Sequence, residues 1–190
     1  MRIAALLLCG GSGSRFGGDK LLAGGEPVAA RAARNLAAGA GHSLAVIPVG
    51  AAGLRAVLEG AGCEVLESDR TASGMGATLA AGIAATARAG GWIVALGDMP
   101  AIAPRTIAAV RRGLEAGAII AAPFDARGRR GHPVGFCAHL RDELLALDGD
   151  VGARDIVACH AGEIMRIDSD DPGIFIDIDT PADLDRLPNR

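Results

Sequence analysis

The sequence predicts an α/β fold of three layers, with helices on both faces of a mostly parallel sheet. Two observations predict it. Short apolar runs alternate with stretches of helical pattern through most of the chain, the order that βαβ crossovers impose. The runs are also apolar at every position, as in IAALLL at Ile3–Leu8, rather than at every second one, so both sheet faces are covered. No linker, low-complexity tract or repeat interrupts the 190 residues, and residues 1–190 read as one domain.

The elements follow in order. After the strand IAALLL, PVAARAARNLAAG (27–39) is a helix with Pro27 near its start and Gly39 near its end. SLAVIPVG (43–50) is strand-like, AAGLRAVLEGAG (51–62) is a helix closed by glycines, and CEVLE (63–67) is a short strand. GATLAAGIAATARAGG (76–91) is a helix leading into the strand WIVALG (92–97). Pro104 opens the helix PRTIAAVRRGLEAG (104–117), and the strand AIIAAP (118–123) follows. The second half is less regular. RGHPVGFC (130–137) is a strand, and LRDELLALDG (140–149) and GARDIVACH (152–160) are helices. EIMRID (163–168) and GIFIDID (173–179) are strands, and TPADLDRL (180–187) is a closing helix.

Composition narrows the function classes. A net charge of −3 offers no field for nucleic acid or an anionic membrane, and 3% aromatic residues leave few platforms for stacked bases. The apolar stretch near the amino terminus is too short to span a bilayer and runs into glycines, so a cytoplasmic location is expected. Cys9, Cys63, Cys137 and Cys159 are scattered without a CxxC pair, as expected of reduced thiols serving as small apolar residues.

Parallel sheets bind ligands outside the carboxyl ends of their strands, so the segments just after the apolar runs carry the chemistry. CGGSGSRFGGDK (9–20) follows the first strand. It misses two familiar phosphate motifs by one residue. For GxGxxG counted from Gly11 and Gly13 the third glycine falls at Phe16, whereas the chain has it at Gly17. For GxxxxGK[ST], Gly13 and Gly18 fit, but Asp19 precedes Lys20 and Leu21 replaces the hydroxyl residue. The physics survives the mismatch: glycine amides can point at an anion, Arg15 adds a fork of donors, and Lys20 adds a mobile point charge. That set suits a triphosphate.

Asp98, in GDMP after the strand 92–97, is either a magnesium carboxylate or a turn former. In GIFIDID, strand alternation puts Phe175, Asp177 and Asp179 on one face, a second metal contact. Asp179 alternatively assists the helix start at Thr180-Pro181-Ala182-Asp183. Ser73 either reads a base edge or caps a helix. His132 either meets substrate or shapes a strand start, and Arg129 and Arg130 either attract phosphate or solvate a loop.

These segments together resemble the nucleotidyltransferases of the molybdenum cofactor. LCGGSGSRFGGDK resembles that family's signature, approximately LAxGxSxRMGxxK, and SGMGATLAAGI resembles its base-side loop and helix. LGDMP resembles its metal-binding motif, while RRGHPVGF, GDVGAR and DIDTPADL resemble the cytidylyltransferase branch. Gly10-Gly11, followed by RFGGDK with Lys20, resembles instead the guanylyltransferase branch, since alanine is commoner at position 10 among cytidylyltransferases. The resemblance implies a Rossmann-like domain that joins CMP from CTP to the phosphate of molybdopterin, with pyrophosphate released. It implies Arg15, Lys20 and Asp98 as catalytic residues. Leu8, Cys9, Gly10, Gly11, Ser12, Gly13, Ser14, Arg15 and Lys20 would bind the nucleotide, with Ser73, Gly74 and Met75 at the base. Mg2+ would sit on Asp98 with Asp177 or Asp179, and His132, Arg130 and Arg154 would face the acceptor. A molybdoenzyme would receive the product. The alternatives are GTP on the same acceptor, another phosphorylated acceptor, or a nucleotide-binding cofactor chaperone without turnover.

Overall fold

The structure, a computed structural model, describes residues 2–10, 16 and 19–187. Seven strands form one sheet: β1 (Ile3–Leu8), β2 (Ser43–Ile47), β3 (Glu64–Glu67), β4 (Gly91–Leu96), β5 (Ile120–Phe124), β6 (Val134–Cys137) and β7 (Ile164–Asp168). Their order is β3-β2-β1-β4-β6-β5-β7. All neighbours are parallel except β6, which runs antiparallel to both β4 and β5. Leu8 is in register with Val46 on one side and Leu96 on the other, so three parallel strands end at one level.

Successive side chains of a strand point to opposite faces, which explains the unbroken apolar runs. Leu7, Ile47 and Ile93 pack under α1 (Val28–Ala40), α2 (Ala52–Gly60) and α4 (Pro104–Glu115), with Leu36, Leu58 and Leu114. Leu6, Leu8, Trp92 and Phe136 pack under α3 (Met75–Ala85), α5 (Arg141–Leu145) and α6 (Arg154–Cys159), with Leu79, Leu144 and Ile156. Each such side chain, once fully buried, contributes about 1.5–3 kcal/mol. The buried indole of Trp92 is satisfied too, donating from Nε1 to Thr86 Oγ1 at 2.9 Å. The four cysteines are free, three of them buried. Among the described residues no helix is long and apolar enough to cross a membrane.

The structure corrects several expected boundaries. The helix expected over 76–91 ends at Ala85, because the Thr86 hydroxyl donates back to the Gly82 carbonyl at 2.7 Å and Gly90 N–H turns to bond Arg2 O at 2.8 Å. The strand expected over 43–50 stops at Ile47, ahead of Pro48, which cannot donate to a ladder.

The larger correction concerns 173–179, which is not a strand. Asp171 caps a single 3-10 turn, Pro172–Phe175, by accepting from Gly173 N–H at 2.9 Å. The chain then runs extended but outside the sheet, and Ile178 N–H donates to Asp98 O at 2.9 Å, across the strand ends rather than along an edge. Ile174 and Ile178 are buried beneath it. The closing element is a 3-10 helix, Pro181–Arg186, with the capping box that Thr180 and Asp183 foreshadow.

Candidate active site

Three of the residues singled out in the sequence converge at the carboxyl ends of β1 and β4. Lys20 opens a 3-10 turn, Lys20–Leu22, anchored by buried Leu21 and by Asp19, whose carboxylate accepts from Leu21 N–H at 3.2 Å. From there the Lys20 ammonium donates to Asp98 Oδ2 at 2.7 Å and to Asp179 Oδ1 at 3.1 Å. Burial alone pulls the Lys20 ammonium down, but the hydrogen bonds and charges of Asp98 and Asp179 outweigh it and hold its pKa above the ordinary lysine value. Asp177 is exposed and does not join these ion pairs.

Among the described residues no group of three His, Cys, Asp or Glu side chains converges on one point. The donor set is instead two carboxylates, Asp98 and Asp179, meeting at a shared cation. Hard oxygen donors in that number fit magnesium or manganese, which take one or two protein carboxylates and complete their shell with water and substrate phosphates.

Beside this cluster, on the α3 face of the sheet, lies a cavity of about 410 Å3. Its walls are apolar: Leu8, Leu79, Val94, Leu96, Val134, Phe136 and Val157. Its polar lining is Arg130, His132, Asp150 and Arg154, so the acceptor-side residues named from the sequence share one space. Burial, and then the nearby Arg130 charge, pull the His132 imidazole below the ordinary histidine value, against the opposing pull of Asp98 and Asp177. His132 Nδ1 is buried without a hydrogen-bond partner among the described residues. Burial and the Arg154 charge likewise lower the Arg130 guanidinium. Two arginines this close form a site that gains from an anion. Arg129 does not join them; it pairs with Asp125 at 2.7 Å and lies over the Phe175 ring at 4.5 Å.

The turn at 73–75 docks on the segment that follows α5. Gly74, at φ 117°, caps α3 in place of Ser73, which is exposed. A Cβ on Gly74 would come within 2.6 Å of the Gly149 carbonyl, and Gly76 N–H donates to that same carbonyl at 2.8 Å. Met75 and Val151, both half-exposed, form the lip of the cavity.

Gly10 lies against the same turn. A Cβ there would stand 2.6 Å from Thr78 Oγ1 and 3.1 Å from Thr71 Cβ. Both threonines are locked, Thr78 donating to Gly74 O at 2.7 Å and Thr71 to Ser68 O at 2.8 Å. Leu8 lines the cavity, whereas the Cys9 side chain packs into the core on the opposite face, where burial pushes its thiol far up. Gly11, Ser12, Gly13, Ser14 and Arg15 lie outside the described residues. Sequence reasoning did not single out Thr78, Asp150 or Phe136. All three stood in quoted segments, Thr78 in SGMGATLAAGI, Asp150 in GDVGAR and Phe136 in RRGHPVGF, but Thr78 and Phe136 are ordinary helix and strand residues without a local mark of their own.

Residues 5–164 match the family described as MobA-like NTP transferase domain. A nicotine blue oxidoreductase from Paenarthrobacter nicotinovorans is 30% identical over 197 aligned residues, covering 97% of this chain and 96% of that protein. The crystal structure of Rv0371c from Mycobacterium tuberculosis H37Rv is similar, with 29% identity, a TM-score of 0.79, and 98% and 97% of the two chains covered. A structure of Rv0371C in complex with manganese is 27% identical, with a TM-score of 0.74 and 98% of each chain covered. The family match spans most of the sheet and both walls of the cavity, and the chain therefore belongs to the MobA-like NTP transferase family.

Proposed function

We propose that the protein is a cytoplasmic nucleotidyltransferase that moves CMP from CTP to the phosphate of molybdopterin or its molybdenum-bearing form, for delivery to a molybdoenzyme. The observation that carries this reading is the adjacency of the Lys20–Asp98–Asp179 cluster to an apolar cavity with a cationic lining of Arg130 and Arg154. One place suits a triphosphate, the other a ring system bearing an anionic phosphate.

The chemistry follows from charge. An oxygen of the acceptor phosphate attacks the α-phosphorus, the bond to the β-phosphate oxygen breaks, and pyrophosphate leaves. The attacking oxygen is already anionic, so no general base is required, and positioning with charge neutralisation does the work. Arg130 and Arg154 draw the acceptor phosphate in, and neutral His132 can donate a hydrogen bond without adding charge. Lys20 meets the charge that develops on the leaving pyrophosphate. Asp98 and Asp179 would hold magnesium, which when bound neutralises and aligns phosphate oxygens. The manganese in the related Rv0371C structure supports a divalent cation in this role.

The choice of CTP rests on the later segments of the chain. Glycine at position 10, which favours GTP, has an independent cause in its contact with Thr71 and Thr78. The test is to incubate the protein with magnesium, molybdopterin and each NTP in turn and measure pyrophosphate. CTP is expected to give the fastest release; a preference for GTP reverses the base, and no release with any NTP overturns the reading.

A second reading is favoured by the apolar walls of the cavity together with the oxidoreductase relative. A flat conjugated ring in that cavity would accept a hydride from a reduced nicotinamide dinucleotide and a proton from water. It predicts loss of nicotinamide absorbance on adding such a compound, with no pyrophosphate formed.

A further inference from the structure

We infer that Lys20 is an exchangeable counter-cation: it holds Asp98 and Asp179 together in the nucleotide-free protein and yields them to a divalent metal only when nucleotide phosphates draw its ammonium away, so that metal and nucleotide bind cooperatively. This rests on the transferase reading and deepens it.

The geometry is the warrant. Lys20 Nζ lies 2.7 Å from Asp98 Oδ2 and 3.1 Å from Asp179 Oδ1, in direct contact with both carboxylates that suit a metal. The Lys20 side chain is only 13% exposed, so water screens the ammonium weakly. A dication bound to those same oxygens would meet the ammonium at contact distance with like charge. The two cations therefore compete for one pair of ligands.

The ammonium has somewhere to go. Its backbone is pinned by the buried Leu21 and the Asp19 cap, but the four-carbon stem is flexible and the head can swing to another acceptor. Phosphate oxygens arriving beside the carboxyl ends of β1 and β4 are such acceptors. Once the head has moved, the carboxylates remain side by side, since Ile178 N–H still bonds Asp98 O and Asp179 N–H still bonds Asp183 Oδ2 at 3.2 Å. The metal then finds ligands already ordered. By linkage, whatever factor the nucleotide adds to metal affinity the metal must add to nucleotide affinity.

The test is a Mn2+ titration followed by paramagnetic resonance, on the nucleotide-free protein and with a non-hydrolysable CTP analogue. Lys20→Met is expected to bind Mn2+ alone about tenfold more tightly than the parent, and to lose most of the tightening that nucleotide confers on the parent. Lys20→Arg keeps the charge and is expected to bind Mn2+ alone as weakly as the parent. Lys20→Gln serves as a second neutral variant, and thermal unfolding of each variant verifies the fold. Equal or weaker Mn2+ binding by folded Lys20→Met and Lys20→Gln overturns the exchange while leaving the transferase reading intact. Absence of Mn2+ binding by every protein, with and without nucleotide, overturns both.

Discussion

The amide of Ile178 donates to the carbonyl of Asp98 at 2.9 Å, and this bond sets the carboxylate of Asp179 beside that of Asp98 although the two are distant in the chain. The last segment of the protein is thereby a structural part of the β4 turn. Replacing Asp98 with Asn should lower turnover by roughly 10²–10³-fold and raise the metal concentration needed for half-maximal rate. Asp179→Asn should show the same metal shift with a smaller loss, and exposed Asp177→Asn should change neither. Initial rates against magnesium concentration separate the three, and an unaltered metal dependence in Asp98→Asn removes it from the metal site.

Asp171 is the anchor behind that segment. It is 5% exposed and accepts from Ala103 N–H at 2.8 Å, Thr106 Oγ1 at 2.7 Å and Gly173 N–H at 2.9 Å. Asp171→Ala leaves those donors buried and unpaired, at a cost of about 3 kcal/mol. Urea unfolding measures it, and a change under about 1 kcal/mol means that water replaces the carboxylate.

Two histidines titrate in opposite senses. The hydrogen bond from His160 Nδ1 to Glu163 Oε2 at 2.6 Å outweighs the opposing effect of burial and, with the further bond to Glu143, raises the His160 pKa. Its stabilising contribution is therefore complete below the ordinary value of 6.5 and disappears as pH rises through the raised value. His132 is lowered, so its contribution is complete above 6.5 and is lost as pH falls through the depressed value. His160→Gln should cost stability only on the acid side, and proton NMR should show the His132 ring still neutral where His160 is charged.

Gly10 and Thr78 should behave as a pair. Gly10→Ala forces a methyl against Thr78 Oγ1, an overpacking cost of about 1–3 kcal/mol. Adding Thr78→Ala removes the two nearest Thr78 atoms and should restore part of that loss. A double-mutant cycle on unfolding free energy reads the coupling, and strict additivity would show that the loop shifts instead.

The order of elements was legible because an apolar run buried on both faces leaves an unbroken mark in sequence. Asp98 was legible because it directly follows such a run, and Lys20 because it closes the glycine-rich segment that follows another. The partnership of Lys20 with Asp179 was not, since a contact over 159 residues depends on a docked terminal segment that has no local period. In 173–179 the alternating isoleucines imitated a strand, and the Asp171 cap that turns the chain away counted for little beside them. The contact of Gly10 with Thr78 was hidden for the same reason as the Lys20 pair: neither residue carries a mark of its partner.

The reversed direction of β6 has a consequence for how this protein can diversify. Parallel strands present their exits at the ligand edge; an antiparallel strand among them presents its beginning there. The chain thus supplies Arg130 and His132 from the segment leading into β6, while Leu8 is the last residue of β1 and Asp98 comes from the segment leading out of β4. On the transferase reading, the walls for acceptor and nucleotide would hang from different connections, and length and charge in 125–131 would change which acceptor is received without disturbing the register of β1 and β4.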